Sequence, residues 1–87
     1  MAKYKVLIKP SAVKELETVP SKDRSRIVYR IQGLAEEPRP HGCEKLSRLN
    51  RYRIRQGKYR ILYEVVDKEV IVVVVKVAHR KEAYRAR

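Results

Sequence analysis

The spacing of apolar and polar side chains changes period along the chain. Residues 3 to 9, Lys-Tyr-Lys-Val-Leu-Ile-Lys, combine alternation with β-branched content, which predicts a strand. Pro10 ends it and suits the first turn of a helix, so a helix is expected from Ser11 to about Val19. Pro20 breaks that helix and Ser21 is positioned to cap another, in which Ile27, Ile31, Leu34 and Ala35 recur on one face. So short a connection makes a helical hairpin. Pro38, Pro40 and Gly42 mark a loop, after which Tyr52-Arg53-Ile54-Arg55 alternates, Gln56-Gly57 turns, and Lys58 to Val66 forms a further strand. Asp67-Lys68 turns again. Val70 to Ala78 is apolar on both faces except at Lys76, which predicts a central strand covered on both sides, at least in part. The expected architecture is α+β in the order β-α-α-β-β-β: a helical hairpin packed on a twisted, mainly antiparallel sheet, followed by a short basic tail.

Length limits this to one domain, residues 1–87, which buries around 60 to 65% of its unfolded surface. Cys43 has no partner for an internal disulfide, and His41 and His79 are too few and too far apart for a metal cluster, so no metal or cofactor is expected. No charge-free apolar run approaches the ~20 residues of a membrane span, and the opening Met-Ala-Lys-Tyr-Lys-Val lacks a signal-peptide core. An unprocessed protein of the reducing cytoplasm, without a membrane partner, is the expectation. No Gly-rich phosphate loop, metal-ligand set or Ser/His/Asp set is present, which sets aside the common enzyme classes built on them.

Charge narrows the function further. Residues 44–60 and 76–87 hold 12 of the 22 Lys and Arg but 2 of the 10 Asp and Glu, and so carry +10 of the net +12. A basic face on a rigid sheet focuses potential and attracts a polyanion, with nucleic acid the first candidate. Alternation puts Arg53 and Arg55 on one face, and closure of the Gln56-Gly57 hairpin brings Arg60 beside them. Like charges at that spacing repel by about 1 kcal/mol per near neighbour even in a water-like dielectric, a cost that a bound phosphate removes. Lys45, Arg48 and Arg51 precede the hairpin, and Lys58 and Lys81 extend the same basic surface toward phosphate. Tyr52, Tyr59 and Tyr63 alternate to the opposite face and are expected in the core.

The hairpin Tyr52-Arg-Ile-Arg followed by Tyr59-Arg-Ile-Leu-Tyr63, taken with Ala78-His-Arg-Lys-Glu-Ala-Tyr84 and the order of elements, resembles the RelE/ParE toxin superfamily over essentially the whole chain. Within it the likeness is to the RelE branch of messenger-RNA endoribonucleases. The resemblance implies a toxin of a type II toxin–antitoxin system that enters the A site of the 70S ribosome, cuts messenger RNA there and arrests translation. It also implies an acidic, RelB-like antitoxin partner, partly disordered when free, that covers the basic groove or displaces a C-terminal helix carrying Tyr84. A salt-sensitive complex is then the expected resting state.

The implied reaction is attack of a ribose 2′-hydroxyl on the adjacent phosphate, leaving 2′,3′-cyclic phosphate and 5′-hydroxyl ends. It needs alignment, stabilisation of the phosphorane charge and delivery of a proton to the leaving oxygen. By the resemblance, Arg60 and Arg80 are the phosphate and transition-state groups, and Tyr84 stacks on a displaced base or orients the nucleophile. Arg53 and Arg55 stand where the best-studied branch has two lysines. Arginine stays protonated, so Arg53 is not the general base. Three options remain: His79, because an imidazole exchanges protons near neutrality; Glu44, which precedes Leu46 as a catalytic carboxylate does in a sibling branch; or no strong base, with the ribosome supplying alignment. Against these stand plainer roles, His79 as a strand-end residue and Glu44 as a loop carboxylate paired with a cation. Two rival functions remain as well: a ParE-like inhibitor that binds DNA gyrase without hydrolysis, and an inactive toxin homologue.

Overall fold

The computed structural model describes residues 3–46 and 50–83. β1 (Lys5–Ile8) leads into α1 (Pro10–Glu17) and α2 (Ser21–Gly33), followed by β2 (Glu44–Lys45), β3 (Arg51–Gln56), β4 (Tyr59–Val66), a 3-10 turn (Asp67–Glu69), β5 (Ile71–His79) and α3 (Arg80–Ala83). The expected α+β order is present, in a five-stranded mixed sheet β1-β5-β4-β3-β2 in which β1 runs parallel to β5 and the other pairs are antiparallel. Two elements have no counterpart in the hydrophobic pattern: β2, of two residues, and α3, of four, are too short for any period to register.

Local chemistry sets the helix ends. Pro10 occupies the first turn of α1, where its missing N–H costs nothing. At the other end the Thr18 hydroxyl donates to the Glu15 carbonyl at 2.7 Å, and the Thr18 and Val19 N–H groups donate to Glu15 and Leu16 carbonyls at 3.1 Å. These three-residue closures tighten the last turn, so α1 stops two residues short of the expected Val19. Ser21 is the first residue of α2 and not its cap; Pro20 holds the cap position, and its carbonyl accepts the Arg24 N–H at 2.8 Å. Both helices lie on one face of the sheet. Ala12, Leu16 and Val19 join Ile27, Ile31 and Leu34 against Tyr52, Ile54, Ile61, Tyr63, Val65, Val72, Val74 and Val77 in a continuous core.

The β4–β5 register contains a shift. Leu62 pairs with Lys76 but Tyr63 pairs with Val74, leaving Val75 as an extra residue, a β-bulge. Before it, Val72 and Val74 share the helix-covered face with Val65 and Tyr63; after it, Val77 and His79 do so with Ile61 and Tyr59. Lys76 is thereby spared burial under the helices. Its ammonium meets Glu15 of α1 at 2.7 Å, and the same carboxylate accepts the Val77 N–H at 2.9 Å, on the edge of β5 beyond the last β1 pair at Ile8 and Val74. The expected central strand with cover on both faces, at least in part, is what β5 is, but the cover is unequal and on the face away from the helices is complete only at Ala78. Helices bury one face, while Ile71 and Val73 on the other stay half-buried among the described residues.

At the far end of the meander a polar cluster ties three segments together. Arg39 grips Asp67 through both terminal nitrogens (3.2 and 2.8 Å) and donates from Nε to the Tyr52 hydroxyl at 2.8 Å, while the Tyr4 hydroxyl donates to Asp67 at 2.8 Å. Tyr63, fully buried, donates to the Pro38 carbonyl at 2.7 Å. Val70 adopts a left-handed φ of 57°, unusual for a β-branched residue, and its carbonyl accepts the Lys5 N–H at 2.9 Å. The strained turn thus presents the carbonyl that docks β1.

Two stability predictions follow from this packing. Ile27→Ala, at a position with no exposure, should cost about 2–4 kcal/mol in urea unfolding, whereas Tyr29→Ala on the same helix, 77% exposed, should fall within about 0.5 kcal/mol of wild type. Hydrogen bonds from Arg39 and then Tyr4 hold the Asp67 carboxyl below its ordinary value. The associated stability is present above that ordinary value and is lost as pH falls through the lowered one. Between about pH 5 and pH 3 the melting temperature should therefore drop more steeply for wild type than for Asp67→Asn; parallel curves would remove the ion pair from the acid response.

Candidate nucleic-acid interface

Three arginines on the sheet face away from the helices form the centre of the basic surface. β3 alternates Tyr52 and Ile54 into the core, so Arg51, Arg53 and Arg55 take the other face. The two-residue turn of Gly57 and Lys58, with Gly57 at a left-handed φ of 58°, closes the hairpin so that Arg55 pairs directly with Arg60 and Arg53 with Leu62. The expected patch of Arg53, Arg55 and Arg60 is what the register produces, although the turn lies one residue later than the expected Gln56-Gly57, so that Gln56 stays in β3, β4 begins at Tyr59 and Arg60 meets Arg55 instead of Arg53. On β5 the partner of Arg60 is Ala78, whose small side chain is itself buried.

Arg60 is 7% exposed, although it carries a full charge. Among the described residues its guanidinium makes one long hydrogen bond, 3.4 Å, to the Tyr59 carbonyl. A buried cation facing a second arginine across the strands is an arrangement that favours an anion.

One carboxylate already stands there. β2 pairs Glu44 with Arg53, and Glu44 Oε1 accepts from Arg53 Nη2 at 2.6 Å and Nε at 3.2 Å, with Arg55 Nη2 at 3.8 Å. The hydrogen bond from Arg53, then its charge, with smaller contributions from the charges of Arg55 and Arg60, holds the Glu44 carboxyl below its ordinary value. Glu44 lies on an edge strand and not in a loop, paired with an arginine as its plainer role expects.

The other candidates are distributed around this centre. His79 pairs with Tyr59 on the helix-covered side, its ring edge-on to the Tyr59 ring at 5.4 Å, and its Nδ1 accepts the Lys81 N–H at 3.2 Å. The bulge in β5 therefore separates it from the face of Arg53, Arg55 and Arg60. Arg80 is exposed at the start of α3, and its N–H donates to the Lys58 carbonyl at 2.7 Å, which fastens α3 to the hairpin turn at the Arg55–Arg60 end. Lys58 and Lys81 are exposed at that same end. Lys45 pairs with Tyr52 and so alternates to the opposite face from Glu44. Arg51 is ion-paired with Glu64 on the arginine face, four residues from Arg55 and with its charge already compensated. Tyr52 and Tyr63 stack in the core with ring centroids 5.8 Å apart, and Tyr59 is partly buried against it. Arg48 and Tyr84 lie outside the described residues. Ala78, facing Arg60, is a contributor that sequence reasoning missed; its signal is the single small residue at the end of the valine run.

Residues 6–84 match the family described as the ParE toxin of the type II toxin–antitoxin system parDE. Toxin RelG of Mycobacterium tuberculosis is 30% identical over 84 residues, covering 94% of this chain and 97% of the relative. Among solved structures, the RelBE2 toxin–antitoxin complex of Mycobacterium tuberculosis contains a chain that superposes with a TM-score of 0.78 at 28% identity, covering 90% of this chain and 99% of that one. The archaeal RelE–RelB complex of Pyrococcus horikoshii contains another, with a TM-score of 0.79 at 28% identity and coverage of 92% and 97%. Likeness that runs nearly end to end in both sequence and backbone makes this chain a member of the RelE/ParE family, the toxins of type II toxin–antitoxin systems.

Proposed function

We propose that this toxin is a ribosome-dependent messenger-RNA endoribonuclease that binds an acidic RelB-like antitoxin in its resting state. What carries this is the cross-strand pair of Arg55 and Arg60, with Arg60 buried and Arg53 on the same face. A phosphodiester seated against it would bring negative charge to guanidiniums of which, among the described residues, only Arg53 is hydrogen-bonded to a carboxylate.

In the reaction the 2′ oxygen forms a bond to phosphorus as the bond to the 5′ oxygen breaks. The 2′ proton leaves, the 5′ oxygen gains a proton, and the products are a 2′,3′-cyclic phosphate and a 5′-hydroxyl. Charge builds on the non-bridging oxygens, which guanidinium forks on a rigid hairpin stabilise without reorganisation. Arg55 and Arg60 fit that role, and Arg80 stands beside the hairpin turn from which it can add to it. Neither side chain considered as a base is well placed to be a strong one. His79 is turned to the helical side with its Nδ1 occupied by a backbone N–H, and Glu44 is held as a weakly basic carboxylate by Arg53. These positions favour the option in which the toxin contributes charge stabilisation and the ribosome aligns the nucleophile.

An antitoxin partner is supported by the solved relatives, several of which are toxin–antitoxin complexes. Gyrase inhibition by binding is the second reading, favoured by the ParE description of the matching family.

A defined messenger, with and without programmed ribosomes, separates the two. Wild type should cut within the A-site codon only on the ribosome, and Arg60→Ala and Arg80→Ala should each reduce the rate by about 100-fold or more while retaining the wild-type circular dichroism spectrum. A folded wild type that leaves the messenger intact under both conditions, but blocks gyrase supercoiling, would replace this function with the second.

A further inference from the structure

Glu44 occupies the place where a phosphate would meet the arginines. Both Arg53 hydrogen bonds and the closer approach of Arg55 converge on the single oxygen Oε1. Arg60, opposite Arg55, adds to the same field. One carboxylate is thus the resident counter-anion of a three-arginine cluster.

Two features make that occupancy exchangeable. β2 is two residues long and forms the outer edge of the sheet, and the Glu44 side chain is half exposed, so the carboxylate can leave without disturbing the core. A phosphodiester carries the same single charge, and its oxygens accept the same guanidinium hydrogen bonds. Replacing carboxylate by phosphate therefore keeps the cluster neutralised to the same degree throughout.

We infer that Glu44 is a displaceable phosphate mimic: it closes the arginine cluster in the free toxin and is expelled by the phosphate of bound RNA. It is a positioning and specificity residue, not a catalytic one. Its effect is to weaken capture of free RNA, so that only a strand presented with additional contacts, as on a ribosome, displaces it. This rests on the nuclease function proposed above, and it assigns to Glu44 a task different from that of a general base.

The test is binding of a short oligoribonucleotide carrying 2′-deoxy substitution at the scissile position, which cannot cyclise, to folded wild type, Glu44→Gln and Glu69→Gln. Glu69, exposed in the 3-10 turn at the other end of the sheet, controls for the loss of one negative charge. By fluorescence anisotropy at low salt, Glu44→Gln should bind about two- to fivefold tighter than Glu69→Gln, the range expected when an exposed ion pair no longer competes. Equal or weaker binding by Glu44→Gln overturns the inference, as does failure of all three proteins to bind. Loss of cleavage in Glu44→Gln with binding equal to the control would instead make Glu44 the base. Cleavage by wild type on programmed ribosomes is scored separately, so a toxin that binds as expected but never cuts would refute the nuclease function and leave the result on Glu44 standing.

Discussion

One extra residue in β5 determines how the basic end of this molecule is arranged. With Val75 bulged, the strand changes phase between Val74 and Lys76, so each side chain beyond it faces opposite to simple alternation from Val72. Lys76 is released to Glu15, Val77 enters the core, Ala78 comes to rest against Arg60 and His79 turns toward Tyr59. In an unbulged strand Lys76 would lie under the helices, where an unpaired ammonium is costly.

The core and the basic surface are opposite faces of the same two strands. Tyr52, Ile54, Ile61 and Tyr63 anchor β3 and β4 beneath the helices, and because the pleat has a period of two, the residues between them are held rigidly outward. Arg53, Arg55 and Arg60 thus stand on a platform whose geometry is maintained by buried apolar contacts some distance from the charge. Repulsion among them is opposed by that packing and relieved in part by Glu44. Elsewhere on the meander Arg51 is balanced by Glu64 and Lys76 by Glu15, and in the loop before β2 Arg39 is balanced by Asp67.

Much of this was legible in the residues. Proline punctuation, the helical recurrence of Ile27, Ile31 and Leu34, and the alternation around Gln56-Gly57 are local signals, and the elements they indicate are present with ends displaced by a few residues. The shared face of Arg53, Arg55 and Arg60 was legible, because a two-residue turn at either position keeps all three on one side; the register was not, since the turn falls one residue later than Gln56-Gly57 and Arg60 meets Arg55 instead of Arg53. Nor was the position of His79. Counting along the valine run places it on the arginine face, and no glycine or other breaker in that run marks the bulge that moves it.

By itself, then, the sequence determined the order of elements, the face of each hairpin residue, the concentration of charge and, through its family likeness, the class of toxin. These depend on interactions within a few residues or on composition. Tertiary structure alone decided that β1 pairs in parallel with β5, that Glu15 covers the β5 edge beyond it, that Glu44 reaches Arg53 from a two-residue edge strand, and that His79 and Arg60 lie on opposite faces. Each of those is a pairing between segments distant in the chain or a one-residue slip within a strand. Both are settled by how the whole core packs, because a uniform run of valines fits either phase until Lys76 and the helices exclude one of them.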